Sequence, residues 1–237
     1  LRTIIFKTLF IFNWIIIFNS SNKPVEDSFK HKGLRQQLVL TIKEKGIRDE
    51  RVLAAIGKVP RHLFMDSGFL DHAYQDKAFP IAAGQTISQP YTVAFQTELL
   101  RVEKGSKILE IGTGSGYQCA VLVQMGARVY TIERQKELFK ITQKFLPKIG
   151  YRPKKQIFGD GYVGLPEEAP FDGIIVTAGA PFVPKALLEQ LAIGGRLVIP
   201  VGKDIQVMTV FERTSEQNFE KSEYGEFRFV PLLEDKN

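Results

Sequence analysis

The sequence predicts an α/β fold, a doubly wound and mostly parallel sheet with an N-terminal helical addition. Three observations predict it. From Gly105 onward strand-like and helix-like runs alternate; the first of those strands ends in three glycines separated by single residues; and two strand-like runs follow each other without a helix only near the end. Strands joined by helices return parallel, whereas directly joined strands pair antiparallel. A chain of 237 residues with 44% apolar content suits one such domain with a sizeable core.

Ile4 to Phe18 is almost wholly apolar, with Arg2 before it and Lys7 within it, and it gives way to Asn19, Ser20 and Ser21. Charge and length resemble a signal peptide, but the small-residue cleavage pattern is poor and the run is short for a transmembrane helix. Residues 1–30 therefore read either as an export or anchor segment or as a mis-set start, and 31–237 as a single domain. Within it, 31–103 carries the added helices and a loop, and 104–237 the sheet. Leu34, Leu38 and Ile42 keep helical spacing, as do Val52, Leu53, Ile56 and Val59, the second helix opened by Asp49 and closed by Pro60. Ala78 to Pro90 has too many turn formers for a regular element and too few charges for a solvated linker, the character of a functional loop.

The sheet begins with Lys107 to Gln118, KILEIGTGSGYQ. Gly112, Gly114 and Gly116 permit a tight turn that lets a ligand approach the backbone, and Tyr117 to Met125 follows as a helix with its N-terminus toward that ligand. A dinucleotide fingerprint needs a small sixth residue; the two registers put Tyr117 or Cys119 there. The pattern E-x-G-x-G-x-G resembles S-adenosylmethionine-dependent methyltransferases instead, in which Glu110 would meet the ammonium of the methionine end directly or through water. Arg128 to Glu133 forms the next strand, and Glu133, about 20 residues past the first glycine, is the ribose candidate. A helix from Gln135 to Ile149 leads to a strand from Lys154 to Phe158 and then to Asp160 and Gly161, where Asp160 can accept from the adenine amino group. Phe171 to Thr177, Pro184 to Leu191 and Arg196 to Val201 continue the alternation, and Ile205 to Arg213 with Glu226 to Leu233 are expected to pair antiparallel at the sheet edge.

Longer motifs narrow the class. VPRHLF (59–64), AYQD (73–76), GQTISQP (84–90), TELL (97–100), EIGTGSGYQ (110–118), GDG (159–161), PFDGIIVTAGAP (170–181) and GGRLVIPVG (194–202) together resemble the protein-L-isoaspartate O-methyltransferases, over nearly everything from Leu34 to Leu233. Departures are slight: Gly179 where alanine is common, and Ala82 and Ala83 where glycine and a polar residue are frequent. The resemblance implies methyl transfer from S-adenosyl-L-methionine to the α-carboxylate of L-isoaspartyl residues in damaged proteins. It makes Ser88 the active-site serine, with Thr86, Ser88, Val176 and Ala178 toward the substrate. It assigns Thr86, Ile87, Ser88, Glu110, Gly112, Gly114, Glu133, Arg134, Asp160 and Gly161 to the cofactor. It also implies a cytoplasmic monomer.

Such chemistry needs no base in the loop, because a carboxylate is already ionised at neutral pH. What the site must supply is position and donors. Other residues point away from other chemistries. The single Cys119 excludes internal disulfides, and His31, His62 and His72 lack ligand spacing, so no metal is expected. A net charge of +6 and the cluster Lys148, Arg152, Lys154, Lys155 read as a solvated surface rather than a nucleic-acid footprint. An RNA or small-molecule methyltransferase is the alternative; VTAGAP stands where base amino-methyltransferases carry an N-P-P-[YF]-like tetrapeptide.

Overall fold

Ser28 and Asp49 set the first two helices. Their side chains accept from the His31 and Arg51 amides and so cap α1 (Phe29–Glu44) and α2 (Glu50–Lys58). These come from a computed structural model that describes residues 26–237, so the apolar run 4–18 lies outside the described residues. α1 begins two residues before the boundary expected at residue 31. Among the described residues, no helix is long and apolar enough to cross a membrane.

A two-stranded ribbon follows, β1 (Phe79–Pro80) antiparallel to β2 (Thr86–Ile87). It leads into α3 (Pro90–Leu100), with proline at the first turn, where its missing N–H costs nothing. No sequence signal announced α3. It is buried on several sides, through Thr92, Val93, Ala94, Gln96, Thr97 and Leu100, so it lacks the single apolar stripe that marks a surface helix.

The main sheet contains β3 (Lys107–Ile111), β4 (Arg128–Glu133), β5 (Lys155–Phe158), β6 (Phe171–Val176), β7 (Leu191–Val201), β8 (Gln206–Arg213) and β9 (Phe219–Phe227), in the order β5-β4-β3-β6-β7-β8-β9. β5 to β7 run parallel across the order, and β8 and β9 add antiparallel. The crossovers are α4 (Tyr117–Gln124), α5 (Lys136–Lys148) and α6 (Lys185–Glu189). Alternate residues face two cores. Ile108, Val129, Ile175 and Val198 pack with α2, α3 and α4, while Leu109, Ile132, Ile174 and Leu197 pack on the opposite face. The added helices thus share one core with the sheet.

Two expectations shift. β7 starts at Leu191 rather than Arg196, because Gly194 and Gly195 carry the chain past the Phe171 and Asp172 carbonyls, where a Cβ on Gly195 would lie 2.9 Å from Phe171 O. The last strand is Phe219–Phe227, not Glu226 to Leu233. A short turn after β8 returns the chain at once, and an edge strand needs few buried residues: Phe219, Tyr224 and Phe227 are half-buried among exposed Glu and Lys. Val230 to Leu233 instead leave the edge and cross toward the strand tips, where Gly179 N donates to Val230 O and Leu232 N to Gly179 O.

Candidate active site

The carboxyl ends of β3, β4 and β6 open onto one cleft, the position at which doubly wound sheets bind ligands. Gly112, Thr113, Gly114 and Ser115 form its floor, Glu133, Arg134 and Gln135 one wall, Gln85 to Ser88 another, and Val230 to Leu233 close the far side. Gly112 (φ 94°), Gly114 (φ 53°) and Gly116 (φ 84°) all occupy the left-handed region. At Gly112 a Cβ would also sit 2.5 Å from Thr177 Oγ1, which donates to the Ile111 and Gly112 carbonyls and ties the turn to β6.

Glu133 is held at the wall. Its Oε2 accepts from Gly114 N at 2.8 Å and its Oε1 from Gln135 N at 2.8 Å, so each oxygen keeps a lone pair for a ligand hydroxyl. Burial raises its pKa, and the amide donors of Gln135 and Gly114 oppose that shift. Glu110 is placed differently from the expectation. It is fully buried beneath the turn and does not line the cleft, which removes direct contact with a ligand ammonium. Its reach is indirect: Thr113, on the floor, bonds Thr131 at 2.6 Å, and Thr131 donates to Glu110 Oε2 at 2.6 Å. Burial pushes its pKa up to about 8 and leaves Oε1 without a partner. Asp160 also stands outside the lining, its oxygens accepting from Tyr162 N and Asp235 N, while its neighbour Gly161 lines the cleft. Arg134 donates to the carbonyls of Glu234 and Asp235 and so pins the crossing segment.

A second, outer cleft lies between the loop and the edge of the sheet, lined by Lys45, Tyr91, Phe95, Phe227, Arg228 and Phe229 among others. Thr86, Ser88, Thr177 and Val230 line both clefts. Ser88 is half-buried and sits two residues before α3. The β1–β2 ribbon and Asp76 fix the loop that carries it: Asp76 accepts from Tyr91 N and Gln89 Nε2 and pairs with Lys45 at 2.6 Å. Ala178 lines the inner cleft, but Val176 is buried, its carbonyl occupied by Gln96 Nε2. Three contributors escaped sequence reasoning. Thr177 was visible only as part of VTAGAP, Asp76 only as part of AYQD, and Val230 to Leu233 were read as strand.

A parallel sheet with a glycine turn at its central strand tip, a carboxylate at the next and a polar cradle between them defines an S-adenosylmethionine-dependent methyltransferase. The residues fit that cofactor through the Glu133 lone pairs and the open backbone at Gly114. Comparison with known proteins agrees. The profile of the protein-L-isoaspartate(D-aspartate) O-methyltransferases matches residues 33–237. Protein-L-isoaspartate O-methyltransferases of Christiangramia forsetii and Flavobacterium johnsoniae are 70% and 68% identical, each over 90% of this chain and 100% of its relative. Among solved structures, a protein-L-isoaspartate O-methyltransferase is 28% identical with a TM-score of 0.76, over 83% of this chain, which spans 65% of that longer protein. A Plasmodium falciparum protein solved with S-adenosyl-L-homocysteine is 26% identical with a TM-score of 0.73, over 84% of this chain and 98% of its own. The chain belongs to the protein-L-isoaspartate(D-aspartate) O-methyltransferase family.

Proposed function

We propose that this protein repairs damaged proteins by transferring a methyl group from S-adenosyl-L-methionine to the α-carboxylate of L-isoaspartyl residues. The observation that carries the reading is the meeting of the two clefts at Thr86 and Ser88, which gives a cofactor from one side and a peptide from the other a common point of contact. S-adenosylmethionine supplies an electrophilic methyl on a sulfonium. The inner cleft holds the cofactor through Glu133, Arg134, the glycine turn and Gly161, with Thr86 and Ile87 lining the opposite wall. Because the attacking carboxylate is already ionised, the protein contributes orientation and a partly dry environment rather than proton abstraction. Ser88 offers a hydroxyl to hold the carboxylate, Thr86 a second, and the peptide N–H of Ala178 a third donor at the inner wall. Arg228, beside Glu226 and the Lys45–Asp76 pair, offers the outer cleft a cation for an acidic group.

The same proposal takes residues 31–237 as one methyltransferase domain and the protein as a cytoplasmic monomer without nucleic-acid partners. Sedimentation of the full-length chain at twice its mass, or recovery with membranes, would overturn that part. The central test is methyl transfer to a peptide containing L-isoaspartate beside its normal aspartyl twin. Only the isomer presents its α-carboxylate as a side branch, so labelling is expected for it alone. Equal labelling of both peptides, or labelling of RNA, would remove the proposal.

A further inference from the structure

Away from both clefts, the fold assembles three potential metal ligands from segments that no local spacing connects. Asp27 precedes α1, His31 lies in its first turn, and His62 sits in the 3-10 turn Arg61–Phe64. One ligand atom from each lies within 4.8 Å of the other two. Histidine spacing in the sequence gave no sign of this, because the contact forms only when α1 packs over that turn. We propose that Asp27, His31 and His62 bind one divalent transition ion of the zinc class.

The ligand that carries the argument is His62. It is 1% exposed, and its Nε2 has no hydrogen-bond partner. A buried imidazole nitrogen left bare costs free energy unless something fills its place. The other nitrogen has the support a ligating histidine requires: Nδ1 lies 2.6 Å from the Tyr74 hydroxyl, whose oxygen accepts from Arg35 Nη1 at 3.0 Å. The tautomer that donates from Nδ1 to Tyr74 leaves Nε2 as an open lone pair of fixed direction. Asp27 is oriented in the same way, its two oxygens accepting from Arg35 Nη1 and Nη2 at 2.9 Å each, which leaves further lone pairs on both. His31 is the adjustable member. Its ring stacks on that of His62 with centroids 3.9 Å apart, and one long contact of 3.3 Å to the Glu26 carbonyl restrains it. An imidazole ligates in its own plane, so His31 turns out of the stack to join the ion.

Two imidazoles and one carboxylate are a donor set that suits zinc, nickel or cobalt and does not suit magnesium or calcium, which prefer oxygen alone. Three protein ligands leave a position for water. The guanidinium of Arg35 opposes a second cation nearby, so binding is expected in the micromolar range rather than at the affinity of a four-ligand structural site. Asp27 and His31 precede the segment matched by the family profile, 33–237, and His62 lies within it, so the site bridges that segment and the approach to it. The bound ion would fasten that approach to the turn carrying His62.

Full-length protein without a polyhistidine tag, stripped by chelator and dialysed, would be titrated with Zn2+ by calorimetry and with Co2+ by visible absorption. One site per chain is expected, with a melting temperature raised about 5–10 °C at a hundredfold excess over the dissociation constant. His31→Ala and Asp27→Asn should each weaken binding at least tenfold while the metal-free protein still melts cooperatively and transfers methyl groups. His72→Ala, which removes the remaining, exposed histidine, should bind as wild type does. Absence of saturable binding, wild-type affinity in both His31→Ala and Asp27→Asn, or loss of binding in His72→Ala would each overturn the site.

Discussion

Two walls of the cofactor cleft are built in opposite ways. One is the turn from Gly112 to Gly116 together with Glu133; the other is the segment from Val230 to Leu233, which crosses to face it and is tied down by the residues that follow. The first is made by neighbours in adjacent strands and by glycines whose dihedral angles are positive. The second is held by contacts between residues far apart in sequence: Arg134 to the carbonyls of Glu234 and Asp235, Asp235 N to Asp160, and Asn237 N to the Arg134 carbonyl. A backbone constraint leaves a mark in composition because glycine alone tolerates it. A carbonyl accepting from an arginine leaves none, because every residue has a carbonyl.

The largest effect should come from the locally encoded wall. Gly112→Ala forces a side chain into a left-handed conformation, which costs about 1–2 kcal/mol. It also drives the new Cβ to within 2.5 Å of Thr177 Oγ1, so the two carbonyl contacts of that hydroxyl are lost as well. The sum, about 3 kcal/mol, should appear as a lower melting temperature and at least a hundredfold loss of S-adenosylmethionine affinity. Wild-type affinity in this variant would mean that the turn is scaffolding, not part of the cofactor site.

Glu133→Ala comes next. It removes the acceptor for two backbone amides and, on the proposed reading, for ribose, and affinity should fall by about 1.5–3 kcal/mol, roughly 10- to 150-fold by calorimetry. Cooperative melting should persist. A matching loss of about 1.5–3 kcal/mol in kcat/KM is expected for Ser88→Ala, with cofactor affinity nearly unchanged, if Ser88 orients the carboxylate by one charge-assisted hydrogen bond. A steep pH dependence between 6 and 8 in wild type that vanishes in Ser88→Ala would instead make the hydroxyl a proton carrier.

The nonlocal wall should yield a smaller change. Deleting residues 234–237 takes away both Arg134 acceptors, the amide bound to Asp160 and the Asn237 contacts with Arg134 and Lys136, all at the surface. We expect cofactor affinity to fall by about 1 kcal/mol, roughly fivefold, with the melt unaltered. A loss as large as that of Glu133→Ala would erase the contrast between the two walls.

The same contrast governs what the sequence revealed. The alternation of strands and helices, the glycine turn and the carboxylate of Glu133 were legible because period and backbone freedom are local properties. α3 was not, since a helix buried on several sides has no stripe to detect, and β9 was misplaced because an edge strand of exposed Glu and Lys looks like a loop. Glu110 was found, with a contact direct or through water; its burial beneath the turn, beside Thr131 in the next strand and Cys119 in the helix after, leaves no direct one. The meeting of His31 and His62 depends on helix packing, which spacing along the chain does not record.

The smallest prediction returns to backbone strain, this time in the loop that carries Ser88. Ala83 adopts φ 55° and ψ 29°, a left-handed conformation, immediately before Gly84 at φ 65°. It is exposed, so no packing contact offsets the strain. Ala83→Gly would relieve about 1–2 kcal/mol of it, but glycine also adds freedom to the unfolded chain, which takes back about 0.4–1 kcal/mol. The net is a gain of at most about 1.6 kcal/mol, a rise of no more than roughly 3–6 °C in melting temperature for a chain of this size. The loop geometry stays as it is, because the β1–β2 pairing and Asp76 hold it from both ends, so kcat/KM for the isoaspartyl peptide should not move. If Ala83→Gly instead lowered kcat/KM without raising the melting temperature, the left-handed alanine would be restraining the loop rather than straining it, and the placement of Ser88 would depend on that one residue.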